Sequence, residues 1–176
     1  ANDAGVQLAP HGKTTMSPQL LRQQLDRGAW GLTFATIAQA RVGIEAGARN
    51  ILVANQVLQT AELRGIAALQ SQFTDLRLVF LLDSPAQLAL IEAAQAPRPF
   101  EVLLELGLAN GRTGSRTHED ALALARLAHA SAAVRLAGIE CYEGLAATGE
   151  DAADREHARA LMARVADIAR QCDGED

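Results

Sequence analysis

Of the 16 lysines and arginines in this chain, only Lys13 is a lysine. A guanidinium stays protonated in proteins, whereas a desolvated amine can lose its proton and attack a carbonyl carbon. One amine in a chain that otherwise uses arginine points to imine or nucleophilic chemistry, against the plain alternative that its identity is chance. Other polar side chains close apolar runs elsewhere in the sequence: His11, Thr36, Asn55, Asp83, Arg112 and Tyr142. Arg112 lies between Gly111 and Gly114 in "NGRTGSRT", where the backbone can approach a ligand while a planar fork donates hydrogen bonds. The alternative there is a surface loop with two solvated arginines. Thr36, Asn55 and Asp83 suit helix caps and turn pins as well as they suit a ligand.

The elements that must position these residues follow a steady rhythm. Six apolar runs ("GVQLAP", "WGLTFAT", "NILVAN", "LRLVFLLDS", "FEVLLELG" and "VRLAGIECYEG") each precede a helical pattern. The first helix is expected to start at Ser17 with Pro18 in its first turn and to stop at Gly28; Ser84 and Pro85 repeat the start signal, and Gly47 repeats the stop. Strands that are apolar throughout indicate a parallel sheet buried on both faces, joined by right-handed βαβ crossovers. An open doubly wound sheet and a (β/α)8 barrel both fit, and both collect chemistry at the carboxyl ends of the strands. No GxGxxG follows the first run, which weakens a dinucleotide-binding fold. Six units are too few for a closed barrel, so the expectation is part of one, over 1–176 as a single unit, with unpaired sheet edges.

Composition excludes several classes. The net charge is −5 and neither sign forms a block, so nothing resembles a nucleic-acid footprint or a membrane-binding basic segment. The apolar runs are too short to span a bilayer, and no signal peptide opens the chain. Cys141 and Cys172 make neither a disulfide framework nor a metal-ligand pattern, and the expected location is a reducing cytoplasm. Cys141 should face away from Tyr142 as a buried thiol. His118, His129 and His157 read as surface residues on helices, and Trp30 as core.

Taken in order, "PHGKT", "GAWGLTFATIAQA", "ILVANQV", "LLDSPAQ", "LELGLANGRTGSRT" and "LAGIECYEG" resemble the N-terminal barrel of the D-threonine aldolase and D-serine dehydratase family. That family is related to alanine racemase, and the likeness runs from about Gly5 to Gly144. The run "HGKTTM" is similar to the branch described as amino acid deaminases. The resemblance implies an α/β TIM-type barrel of the alanine racemase N-terminal type, with about six of eight units present, and pyridoxal 5'-phosphate as cofactor. It implies that Lys13 forms the imine with that cofactor and that Arg112 approaches the cofactor's phenolic oxygen. It also sets Tyr142 beside the ring, with His11 and Asn55 lining the pocket. Lys13 and Tyr142 are the implied catalytic pair. The implied reaction is dehydration of D-serine or D-threonine to a keto acid and ammonia; aldol cleavage, racemisation and cofactor binding without turnover are the alternatives. Many relatives read K-T-H-K where this chain has Thr14, Thr15 and Met16 after Lys13, which weakens the match to the aldolase branch. The family's phosphate loops would follow strands seven and eight. A divalent metal such as zinc would sit in a C-terminal β domain, and the whole enzyme would be a homodimer. No metal ligand is expected within this chain, and the chain alone is expected to be inactive.

Overall fold

Five of the six apolar runs become strands of one parallel sheet, and the reason the first does not is legible in its own sequence. In the computed structural model, which describes residues 4–109, 111–142, 144 and 147–173, the elements are α1 (Pro18–Asp26), β1 (Leu32–Phe34), α2 (Ile37–Glu45), β2 (Asn50–Gln56), α3 (Thr60–Gln72), β3 (Arg77–Leu82), α4 (Pro85–Ala93), β4 (Phe100–Leu106), α5 (His118–Ala130), β5 (Val134–Cys141) and α6 (Asp151–Asp173). The run around "GVQLAP", expected as a sixth strand, lies beside β1 and reaches it through one bridge, His11 to Thr33. The Thr33 N–H donates to the Pro10 carbonyl (2.9 Å), and the Gly12 N–H donates to the Thr33 carbonyl (2.8 Å). Continuing that ladder backwards needs an N–H at Pro10, which has none, so regular pairing stops there.

The strand order is β1-β2-β3-β4-β5, every neighbour parallel. A doubly wound sheet reverses its winding at a switch point; here every crossover moves one strand in the same direction. With all crossovers right-handed, the helices between strands fall on one face, which is barrel winding. Burial agrees. Ile51 and Val53, Leu78, Phe80 and Leu82, and Phe100, Val102, Leu104 and Leu106 belong to the core cluster packed with the helices. The residues alternating with them, Val79, Leu81 and Glu105 among them, are also buried but on the opposite face, the inside of the curve.

Caps set the start of four helices. Ser17, Thr36, Ser84 and Thr117 each accept a backbone N–H from three residues ahead. For α2 and α4 the cap falls two residues after a strand, so it fixes the angle at which the chain returns over the sheet; for α5 it closes the longer loop that follows β4. The starts expected for α1 and α4 are those observed, and Gly28 and Gly47 follow α1 and α2 with φ of +87° and +108°.

At the amino end, Glu101 accepts from Arg77 (2.8 Å) and from Arg135 (2.7 Å), and the Arg77 guanidinium lies 5.6 Å over the Trp30 ring. Trp30 is half-buried under that cation rather than in the core, as its place at the strand's start had suggested. The inner face is thus closed by ion pairs at one end, leaving the other as the mouth. Among the described residues no helix is long and apolar enough to cross a membrane.

Candidate active site at the carboxyl ends of the strands

Lys13 is placed by the glycine before it. A Cβ on Gly12 would lie 2.5 Å from a Phe34 ring carbon and 2.8 Å from a Leu21 methyl, so only glycine lets the segment settle on the core at that point. The chain then turns sharply, with the Met16 N–H donating to the Gly12 carbonyl (3.0 Å) and Met16 itself at φ +46°. Lys13 is therefore exposed at the mouth, beside the carboxyl end of β1. Met16 packs its side chain against the core.

His11 feels the amine. Partial burial lowers the imidazole below its ordinary value, the Lys13 charge lowers it further, and a hydrogen bond with the Thr33 backbone opposes both. Between that lowered value and 6.5 the unfolded chain binds more protons at this position, so stability falls as pH drops through that window and is constant above it. The expected titration of His11, followed by its ring C–H resonances, has a midpoint below 6.5 that rises, without reaching 6.5, in Lys13→Gln. A midpoint unmoved by the substitution would separate the two residues electrostatically.

On the other side of the mouth, β5 carries a bulge that decides where its aromatic points. Val102 pairs with Leu136 but Leu103 pairs with Gly138, leaving Ala137 over. The shift brings Glu140 level with Glu105 and Cys141 level with Leu106. Cys141 accordingly packs against the core, and Tyr142 falls on the inner face, 49% exposed. The Arg112 guanidinium sits 5.9 Å over the Tyr142 ring.

Arg112 is held there by a loop that doubles back on its strand. The Ser115 N–H donates to the Glu105 carbonyl (2.8 Å) and the Gly107 N–H to the Ser115 carbonyl (3.0 Å). The loop glycines serve this closure rather than the approach of a ligand: a Cβ on Gly114, at φ +91°, would meet the Gly107 nitrogen at 2.3 Å. Glu105, 4% exposed, accepts from the Thr113 hydroxyl (2.6 Å) with one oxygen and from the Gln56 amide with the other. Asp83 accepts the Gly114 N–H (3.2 Å). Arg116, solvated under the surface-loop alternative, donates to the carbonyls of Leu108 (2.8 Å) and Thr113 (2.9 Å). From α6, Arg164 donates to the carbonyls of Gly107, Ser115 and Thr117. Burial lowers the Arg164 guanidinium from its ordinary value, with Cys141 opposing the shift.

Two pairs are thus assembled, His11 with Lys13 and Arg112 with Tyr142, on opposite sides of the array with β2 and β3 between. Thr36 is a helix cap, as its position suggested, and the Asn55 amide donates to the Ala35 carbonyl (3.4 Å). Asp83 pins a turn, but a turn 31 residues away. Glu105, Gln56, Thr113 and Arg164 were not picked out by sequence reasoning; the second carboxylate of "EVLLEL", set between leucines, was the one available signal. His118 is less a surface residue than expected, joining α5 to α6 through Asp167 (3.1 Å) and Gln171 (3.1 Å). His157 is half-buried, and His129 is exposed as expected. Asn110 and Glu143, inside two of the motifs, lie outside the described residues.

The donor set fits the amine-binding and ring-facing parts of pyridoxal phosphate: one accessible primary amine, one guanidinium and one half-exposed aromatic wall on the same mouth. The recess among Glu105, Gly107, Arg112, Thr113 and Tyr142 measures about 10 Å³, room for a single water, so a cofactor ring would lie on the open mouth outside it. Among the described residues no group of three or more His, Cys, Asp or Glu could hold a metal ion.

Comparison with known proteins gives a consistent picture. The family described as "Alanine racemase, N-terminal domain" matches residues 5–175. A D-threonine aldolase of Arthrobacter sp. is 30% identical over 142 residues, 79% of this chain and 36% of the relative. The D-threo-3-hydroxyaspartate dehydratase of Delftia sp. (strain HT23) is 32% identical over 144 residues, 80% of this chain and 37% of the relative. The crystal structure of D-threonine aldolase from Filomicrobium marinum superposes with a TM-score of 0.81 at 25% identity, covering 97% of this chain and 45% of that one. The chain spans less than half the length of each of these relatives.

Proposed function

Because the chain belongs to the family of alanine racemase N-terminal domains, we propose that it supplies the lysine side of a pyridoxal-phosphate site for cleaving small D-3-hydroxy amino acids, with dehydration of D-serine or D-threonine as the reaction. The observation that carries this reading is the sole lysine of the chain, exposed at the carboxyl end of the sheet on a glycine that admits no side chain. Pyridoxal phosphate, when bound, supplies an electron sink at the substrate's α-carbon.

The chain's own residues do the rest. Lys13 Nζ would hold the cofactor, and its free amine would take the α-proton. His11 is disfavoured as a cation by partial burial and then by that neighbour, which limits the second charge beside the amine. Arg112 would donate to the cofactor's ring oxygen, and Tyr142, under the Arg112 guanidinium, would wall the ring. In the balanced reaction the 3-hydroxyl leaves as water and one water returns to release ammonia, so D-serine gives pyruvate and D-threonine gives 2-oxobutyrate.

A second reading has support of its own, since two of the relatives are named D-threonine aldolase. There Lys13 or a neighbouring base takes the hydroxyl proton, the Cα–Cβ bond breaks, and D-threonine gives glycine and acetaldehyde. The protein incubated with pyridoxal phosphate, a divalent metal and D-threonine separates the two by its products. Equal 2-oxobutyrate and ammonia support dehydration; glycine with acetaldehyde selects the aldolase. Because the chain alone is expected to be inactive, the result that sinks both is neither product from the full-length protein with either D- or L-threonine.

A further inference from the structure

Arg164 is a half-buried guanidinium near the middle of α6, and its partners are backbone atoms of one loop. Nη1 donates to the Gly107 carbonyl (2.6 Å), where β4 has just ended. Nη2 donates to the Ser115 carbonyl (2.8 Å) and the Thr117 carbonyl (3.1 Å), where α5 is about to begin. One planar group therefore ties both stems of the loop that carries Arg112, a geometry a point-charge amine does not reproduce. The loop is held from the inner face by the Glu105–Thr113 and Asp83–Gly114 hydrogen bonds, so Arg164 supplies the opposing grip from the helix side. α6 has other anchors as well. Leu161 is 3% and Ile168 0% exposed, and Asp167 and Gln171 bind His118.

We propose that Arg164 is a positioning residue: by fixing the two stems of the 107–117 loop, it holds the Arg112 guanidinium over Tyr142 and thereby sets how the site presents that cation to an anionic or phenolic oxygen of a bound cofactor. What Arg112 contacts rests on the reading under Proposed function; that Arg164 places it does not.

The test uses the whole chain and two readouts. Tyr142 is the only tyrosine, so nuclear Overhauser contacts between the Arg112 δ-protons and a tyrosine ring are unambiguous. Pyridoxal phosphate binding is followed by the visible band of the bound cofactor. Arg164→Met keeps the aliphatic stem; Arg164→Gln restores one donor without adding a second lysine that would itself capture the cofactor. In Arg164→Met the contacts disappear while a cooperative thermal transition remains, and half-saturation by pyridoxal phosphate rises about tenfold. Arg164→Gln recovers part of both. In an Arg112→Met background, Arg164→Met shifts half-saturation by less than about twofold, because its effect passes through Arg112. Contacts that persist in Arg164→Met, or an equal loss of binding in both backgrounds, overturn the proposal. If Arg164→Met does not fold, the contacts in Arg164→Gln decide in the same way: weakened contacts support it, unchanged contacts refute it. A wild-type chain that shows no band bears on the cofactor reading alone, and the contact measurement still decides whether Arg164 places Arg112.

Discussion

Lys13→Ala abolishes the borohydride-stable pyridoxyl adduct of this protein. The chain holds one lysine, so the variant leaves only the N-terminal amine to react. Peptide mass mapping after reduction reads the result directly, with the mass increment on the Lys13 peptide in the wild type and none there in the variant. In the full-length protein, turnover of a D-3-hydroxy amino acid should fall by roughly 10³-fold or more, since the change removes both the covalent anchor and the group that moves the α-proton. Folding should be spared, because Lys13 is exposed and the turn that presents it is held by backbone bonds and by Gly12. Equal labelling of variant and wild type would show that the isolated amine is an ordinary lysine, and the enzymatic reading would lose its main support.

Gly114→Ala is expected to be the most damaging single-methyl addition in the site. At φ +91° a side chain costs about 1–2 kcal/mol before any contact is made. The new Cβ would then meet the Gly107 nitrogen at 2.3 Å and its Cα at 2.7 Å. Those are backbone atoms at the end of β4 and cannot rotate away, so the loop must lift off the strand. Lifting it breaks the Ser115–Glu105 and Gly107–Ser115 hydrogen bonds and strands the buried Glu105 carboxylate without Thr113. The combined loss is ~3 kcal/mol or more, a fall in melting temperature of roughly 6–12 °C for a chain of this size. Gly111→Ala is the control. Its φ is not positive and its nearest contact is the Leu108 carbonyl at 3.0 Å, so a loss below ~1 kcal/mol is expected. Two variants of equal stability would show that the 107–117 loop does not hold the closed form described above.

What the sequence by itself determined is local or compositional. Ser17 with Pro18, Ser84 with Pro85, and Thr36 placed helix starts correctly, because a cap depends on a donor three residues away. Unbroken apolar runs announced a parallel sheet, because strands covered on both faces have no polar side to alternate with. The isolation of Lys13 and the glycines around Arg112 were visible as composition, and Cys141 and Tyr142 could be put on opposite faces by alternation alone. The failed sixth strand was written in Pro10, though its meaning needs the partner that Pro10 would have had to bond.

Tertiary structure alone decided the rest. Winding in one direction, which separates a barrel from a doubly wound sheet, is a property of strand order and leaves no trace in any single segment. The bulge at Gly138 sets which face Tyr142 shares with Glu105, since a one-residue shift moves every later side chain to the other side of the sheet. Gln56 meets Glu105 across 49 residues, and Arg164 reaches Gly107 across 57. A buried carboxylate or guanidinium is stabilised by whichever donors or carbonyls the fold brings within about 3 Å, and chain spacing does not encode that distance. Lys13 was therefore readable as a chemical group from the sequence. The loop that aims Arg112 was not, because its geometry is held by backbone carbonyls, which are the same at every residue.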